Sequence, residues 1–263
     1  AMSSRRLKTI ILLMLLAANL CLLAAVLPVY RQRENQRAAL TSALDALLAQ
    51  QGVQFDAAAL PEEQTLYALE LTYSTDAEFA AVNALLPGAR ADVTSPYQTR
   101  WSAGTGSAVC AVSGAFSAQL GTPSPAAPAE LLGAMGFVTA ATQRSMHTIT
   151  VWQQVAGTKL LSPLRITLEN GRIDSMEGCF LFYEGTPLRI SLDSACSAAD
   201  ALVAFLAQRD VLGWVGEAIT GLEQGYVPAE SAASLQLRPV WRIQTDTAVY
   251  EVDGLTREVY LVE

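Results

Sequence analysis

The sequence predicts an α+β protein: a single N-terminal transmembrane helix followed by two extracytoplasmic domains, each a helix packed on an antiparallel sheet. Three observations carry that expectation. Residues Ile10–Val29 (IILLMLLAANLCLLAAVLPV) form an uncharged apolar run. Downstream, short segments alternate apolar and polar residues between turn signals, and Asn170-Gly171 is the strongest hairpin signal among them. Thr75-Asp-Ala-Glu78 and Ser197-Ala-Ala-Asp200 are capping-box patterns that start a helix in each half.

As a helix, Ile10–Val29 covers about 30 Å, the hydrocarbon thickness of a bilayer. Arg5, Arg6 and Lys8 precede it with no acidic residue among them, which places residues 1–9 in the cytoplasm and everything beyond residue 30 outside the membrane. Arg31, Arg33 and Arg37 on the far side weaken this asymmetry. The apolar run exceeds the ~7–15 residues of a signal-peptide core, and no A-x-A site follows it. Leu20, rather than a small residue, precedes Cys21, which speaks against a lipoprotein signal. Within the helix Ala17, Cys21 and Ala25 recur every fourth residue and, with Ala18 and Ala24, span a sector of roughly 120°. Asn19 projects about 160° from the centre of that sector. A small-residue face lets another helix approach closely, and an intramembrane amide seeks a hydrogen-bonding partner. These four residues, Ala17, Asn19, Cys21 and Ala25, are the candidate partner-binding positions; a passive tether is the alternative.

The 263 residues carry a net charge of −8. From Ala38 onward 11 Lys and Arg face 24 Asp and Glu, giving −13. Such a surface is repelled by nucleic acid, anionic headgroups and polyanionic wall polymers, and suits a soluble acidic ectodomain. Outside the apolar run only Cys110, Cys179 and Cys196 remain, with no CxxC spacing. A Cys179–Cys196 bridge and three buried free thiols are both compatible with that number. With His147 the only histidine, a four-ligand zinc site is not expected.

Arg31–Gln51 is expected to leave the membrane as a helix, with Leu40, Leu44, Leu47 and Leu48 on one stripe and Gly52 at its end. A short extended piece, Val53–Phe55, follows. Leu66–Tyr73 alternates as a strand with one wet face, and Thr75–Glu78 opens a helix presenting Phe79, Val82 and Leu86 until Pro87-Gly88 stops it. Tyr97–Ala103 and Ser107–Leu120 form a hairpin around Gly104-Thr-Gly106, a setting between strands that argues for a turn over a phosphate loop. These segments make the first domain, residues 30–120. Gly121–Ala129 (GTPSPAAPA) reads as a proline-rich linker, within residues 121–130. Glu130–Met135 adds a helical turn.

The second domain, residues 131–263, begins with strands Thr148–Val155 and Leu160–Glu169, joined by Ala156-Gly-Thr158. Asn170-Gly171 leads into Arg172–Tyr183, whose end (CFLFY) is apolar on both faces and therefore central. A helix from Ser197 to about Arg209 buries Leu202, Val203, Phe205 and Leu206. Two strands bracket Pro228, with Leu235, Leu237, Trp241 and Ile243 on one face of the second, and Val249–Asp253 and Val259–Val262 close the chain around Gly254.

No residue is assigned a catalytic, cofactor-binding or metal-ligating role. Ser145 and His147, with Asp174 or Asp193, lack the glycine-framed nucleophile and oriented base of a triad. Glu62–Glu63 and Asp174–Glu177 sit at turns, where acids serve solvation better than glycoside hydrolysis. Trp101, Trp152, Trp214 and Trp241 are dispersed through strands, as core residues are, rather than gathered into a sugar platform.

Several of these residues resemble the YycI family, membrane-tethered regulators of an essential two-component system in Gram-positive bacteria. Lys8-Thr9-Ile10 with Asn19-Leu20 and Leu22-Leu23 is similar to their anchor. Asn170-Gly171, the helix Ser197–Arg209, Gly225-Tyr226-Val227 and Arg238-Pro-Val-Trp241-Arg-Ile243 follow in the same order, and Tyr250-Glu-Val-Asp-Gly-Leu-Thr256 resembles the end of a PepSY-like module. Gly254 and Arg257 depart from that ending, which usually has alanine and glycine there, and the first domain is similar in layout only. The resemblance implies a non-enzymatic role without cofactor: association of membrane helix and ectodomain with a sensor histidine kinase and a YycH-like co-regulator. Self-association into a homo-oligomer is a further partner choice. The alternative function is a PepSY-like extracytoplasmic inhibitor or chaperone of a secreted peptidase.

Overall fold

A computed structural model describes residues 39–56, 60–124, 126–229 and 234–262. The chain divides into two units, Ala1–Leu60 and Pro61–Glu263. In the first, residues 39–51 are helical (α1). Gly52 ends the helix at φ 67°, its N–H reaching Ala49 O, while Val53 N donates to Leu48 O. A residue free of a Cβ adopts that left-handed turn most cheaply. Leu44 and Leu48 are buried and Leu40 is exposed, so the leucine stripe is covered only beyond its first turn. The anchor segment Ile10–Val29 lies outside the described residues. Among those described, no helix is long and apolar enough to cross a membrane.

In the second unit the described strands form two antiparallel sheets, which establishes the α+β class. The nine-stranded sheet runs β2 (Arg90–Ser95), β3 (Gln98–Ala103), β4 (Gly106–Ala111), β5 (Ala115–Ser124), β10 (Arg172–Cys179), β9 (Leu164–Glu169), β7 (Thr148–Val155), β6 (Thr139–Arg144), with β8 (Thr158–Lys159) also on β7. The six-stranded sheet runs β11 (Tyr183–Arg189), β1 (Leu69–Tyr73), β13 (Leu235–Thr245), β14 (Val249–Asp253), β15 (Val259–Val262), with β12 (Ile219–Pro228) along β13. Local chemistry accounts for most of the pairing. Asn170 and Gly171 both take positive φ, 52° and 77°, so that Glu169 and Arg172 face each other across a two-residue turn. On β9 Leu164, Ile166 and Leu168 point inward while Arg165, Thr167 and Glu169 stay wet.

Two expectations for the first half change. Ser107–Leu120 is two strands, folded back at Gly114, whose φ of 91° and N–H bond to Ala111 O make the turn. The expected linker is largely sheet: β5 continues through Gly121 to Ser124, which pairs with Ile173. Pro128 then opens a short helix, α3 (Pro128–Ala134), where a missing N–H costs nothing. Residues 121–130 therefore do not separate a 30–120 domain from a 131–263 domain. β5 pairs with β10, and β1 pairs with β11 and β13, so each sheet draws strands from both sides of that stretch.

The helix-on-sheet layers are present. α2 (Thr75–Leu85) buries Ala81, Val82 and Leu85, and α3 buries Leu131 and Leu132, in one core with Trp101, Phe116, Ile166 and Ile173 of the nine-stranded sheet. α4 (Ala198–Ala207), followed by the single turn α5 (Arg209–Leu212), packs against β13 and β14. There Phe205 meets Trp214 and Tyr250 at 5.0 Å each, and Trp241 Nε1 donates to Cys196 O at 2.9 Å. Two side chains expected inside are outside: Phe79 and Val203 are 51% and 46% exposed, because each lies off the stripe that faces its sheet. Helix α2 is capped by Ser74, one residue before the expected start, whose Oγ accepts from Ala77 N. Ser197 caps α4 as its sequence suggests, and Glu63 adds a second acceptor by taking the Ala198 N–H at 2.9 Å.

The apolar run after β10 has a different role from the one its composition suggests. β10 is central, between β5 and β9, but it ends at Cys179; residues 180–182 belong to no strand, and β11 starts in the other sheet. Phe180 and Phe182 enter the core of the nine-stranded sheet, while Leu181 enters a second core with Leu69, Leu160, Tyr226 and Leu237. The run is apolar on both faces because it passes between two cores. Most of its backbone groups are nevertheless paired: Phe180 N donates to Gly114 O, Ser74 N to Phe182 O, and the buried Gln153 amide pairs with both the N–H and C=O of Leu181.

Candidate functional site

Glu78 occupies the buried stripe of α2, three, four and seven residues before Ala81, Val82 and Leu85. It is 2% exposed. Its carboxylate accepts from the Tyr73 hydroxyl of β1 and from Trp101 Nε1 of β3, the latter at 2.6 Å, and its charge acts on the buried Cys110 thiol of β4. One side chain thus ties α2 to both sheets. A carboxylate on an otherwise apolar helical stripe is the sequence signal that would have found it. Burial, then the bond to Glu78, pushes the Tyr73 hydroxyl well above its ordinary range; burial, then the Glu78 charge, does the same to Cys110.

Beside this cluster lies an open cleft of about 340 Å³. Ala77 and Ala80 of α2, Ala134 and Gly136 at the end of α3, Gln153 of β7 and residues 180–183 line it. Small residues on the two helices leave the space, and the aromatic crossover forms the floor. The cleft holds no cluster of acid, base and nucleophile.

The residues weighed for catalysis are not brought together. Ser145 Oγ donates to Thr148 O in the β6–β7 turn, and His147 is exposed beside it. Asp174 lies on β10, separated from β7 by β9, and contacts Gln119. Asp193 follows β11, in the other sheet's connections. Trp101, Trp214 and Trp241 are buried and Trp152 is half-buried, so they belong to the packing. Among the described residues no group of three or more His, Cys, Asp or Glu is placed to hold a metal ion. Cys110, Cys179 and Cys196 are free thiols, so the Cys179–Cys196 bridge is not formed. Ala17, Asn19, Cys21 and Ala25 lie outside the described residues.

Burial alone pushes the Cys179 thiol from 9.0 up to about 12. A folded-state value above the unfolded one means stability is complete below about pH 9 and falls as pH rises towards 12. By pH 11 the loss from Cys179 is about 3 kcal/mol. Urea unfolding at pH 8 and pH 11 should show it, and Cys179→Ala should flatten the decline; an equal decline in the variant would contradict the assignment.

No family model, curated protein or solved structure matches the chain. What the described residues define is an α+β protein of antiparallel sheets with helices on their faces.

Proposed function

We propose that the chain is a non-enzymatic, membrane-anchored accessory regulator of a two-component sensor histidine kinase, similar to YycI proteins and acting beside a YycH-like co-regulator. It spans the cell membrane once, with its N-terminus in the cytoplasm and the α+β region outside. The observation that carries this reading is the uncharged segment Ile10–Val29, with an amide at Asn19 opposite the small-residue stripe Ala17/Cys21/Ala25, ahead of an acidic chain. The succession of α4 and the meander β12–β13–β14 supports the PepSY-like part of the resemblance. To bias a kinase, the regulator must bind its signalling states unequally, since equal affinity shifts no population.

Photocrosslinkers placed along Ile10–Val29 in cells, read by mass spectrometry, should recover a histidine kinase. Recovery of abundant unrelated membrane proteins alone would overturn the reading. Because the two faces point apart, Ala17→Leu with Ala25→Leu and Asn19→Leu should weaken different neighbours in a membrane two-hybrid assay. The Asn19 change removes a bond worth about 0.6–2 kcal/mol. Loss of the same partner to the same degree in both variants would reduce the helix to a tether. If purified residues 38–263 instead inhibit an extracellular peptidase, the PepSY-like inhibitor reading takes over.

A further inference from the structure

We infer that the cleft between α2 and α3 receives one bulky apolar side chain, flanked by lysine or arginine, from an extracytoplasmic segment of the membrane partner. The inference rests on the regulator reading for the partner's existence, and on the cleft itself for the partner's chemistry.

The lining side chains favour an apolar centre. Phe180 N–H, both backbone groups of Leu181 and Phe182 C=O are taken by Gly114, the Gln153 amide and Ser74. Most of the side chains lining the cleft are apolar, among them Ala77, Ala80, Ala134 and Val138 above Phe180 and Phe182, with Gln153 and Tyr183 as the polar ones. A polar occupant set against the apolar side chains loses water at a cost of about 1–3 kcal/mol for each group left without a hydrogen bond. The volume of about 340 Å³ lies at the small end of ligand clefts, which run from roughly 300 to 1,000 Å³. It suits a single large side chain, the anchor-in-pocket arrangement that dominates protein interfaces.

The rim dictates the flanks. Asp76 precedes Ala80 by four residues on α2, and Glu130 precedes Ala134 by four on α3, so each carboxylate shares a helix face with a lining alanine. Glu184 follows the lining residue Tyr183 and is held by the Ser74 hydroxyl at 3.0 Å. All three carboxylates are exposed. Neither α2, α3 nor the crossover carries a lysine or arginine. An acidic partner segment would meet like charge on every side, whereas basic flanks are drawn in and oriented.

The test uses the full chain in non-ionic detergent micelles and a fluorescent heptapeptide with tryptophan between two pairs of lysines, read by anisotropy. Saturable binding is expected, falling about tenfold or more when the tryptophan becomes alanine or the lysines become glutamates. Asp76→Lys with Glu130→Lys, both surface changes, should weaken binding at least about tenfold. Glu169→Lys with Glu177→Lys, the same charge change on the open side of the nine-stranded sheet, should change it less than about twofold. Ala134→Trp should fill the cleft and block the peptide without moving the melting temperature. Absent binding, equal binding of the alanine or glutamate peptides, or equal loss from the two charge-reversed pairs would each overturn the inference. Tighter binding of a peptide copied from residues 30–40 of this chain would overturn the partner in favour of a second copy. Crosslinking from Ile10–Val29 does not involve the cleft, so failure here and failure of the regulator reading are separate results.

Discussion

Replacing Glu78 with alanine is expected to destabilise the Pro61–Glu263 unit by about 3–5 kcal/mol, since charge-assisted bonds contribute about 1.5–3 kcal/mol each and their donors are left buried. The carboxylate holds the Tyr73 hydroxyl and Trp101 Nε1, and Trp101 is only 7% exposed. Alanine removes the acceptor that both donors share. Glu78→Gln keeps the shape and one acceptor oxygen but turns an NH2 towards a donor, and should cost about 1–3 kcal/mol. The order alanine, then glutamine, then wild type is the diagnostic, measured by urea unfolding at pH 7. If alanine cost less than 1 kcal/mol, on the order of a surface change, Glu78 would not be the tie between α2 and the sheets.

The parts of this fold legible in the sequence are those decided within a few residues. Asn170-Gly171 fixes its turn by backbone conformation, the alternation Leu164/Ile166/Leu168 fixes a buried face, and Ser197 with Asp200 marks a helix start; the structure has all three. The parts that were not legible depend on partners far along the chain. Nothing near Gly121–Ser124 indicates that Ile173 waits to pair with it, so a proline-rich composition suggested a linker. The two-faced apolarity of residues 180–182 signals burial on both sides, but a central strand and a passage between cores produce the same pattern. Phe79 and Val203 show the limit of a helical stripe read by eye: one position of rotation moves a side chain by about 100° and out of the core. Glu78 was visible only as half of a capping box, yet its place on the stripe of Ala81, Val82 and Leu85 marks it as buried. The cleft could not be anticipated at all, because α2, α3 and the crossover meet only through tertiary packing.

Phe180→Ala is expected to cost about 3–5 kcal/mol, the usual range for truncating a buried aromatic ring. Phe180 is 2% exposed and is the first residue after β10, where the chain leaves one sheet for the other. Its ring meets Phe116 at 5.7 Å and Phe137 at 5.1 Å, both edge-on, and Phe182 at 4.3 Å. These contacts bring β5, the segment after α3 and the crossover to one point, and edge-on pairs add about 0.5–1.5 kcal/mol each beyond burial. Collapse into the space is limited, since the crossover backbone is pinned by Gly114 on one side and Gln153 on the other. Phe180→Leu restores most of the volume without the edge contacts and should cost about 1–2 kcal/mol. A double-mutant cycle with Phe116→Leu should return a coupling of about 0.5–1.5 kcal/mol. Because the ring is also floor to the cleft, Phe180→Leu should weaken the tryptophan peptide while the unit stays folded. A loss below about 1 kcal/mol for Phe180→Ala would place it among surface substitutions, and the crossover would then be a connection rather than the joint of the two sheets.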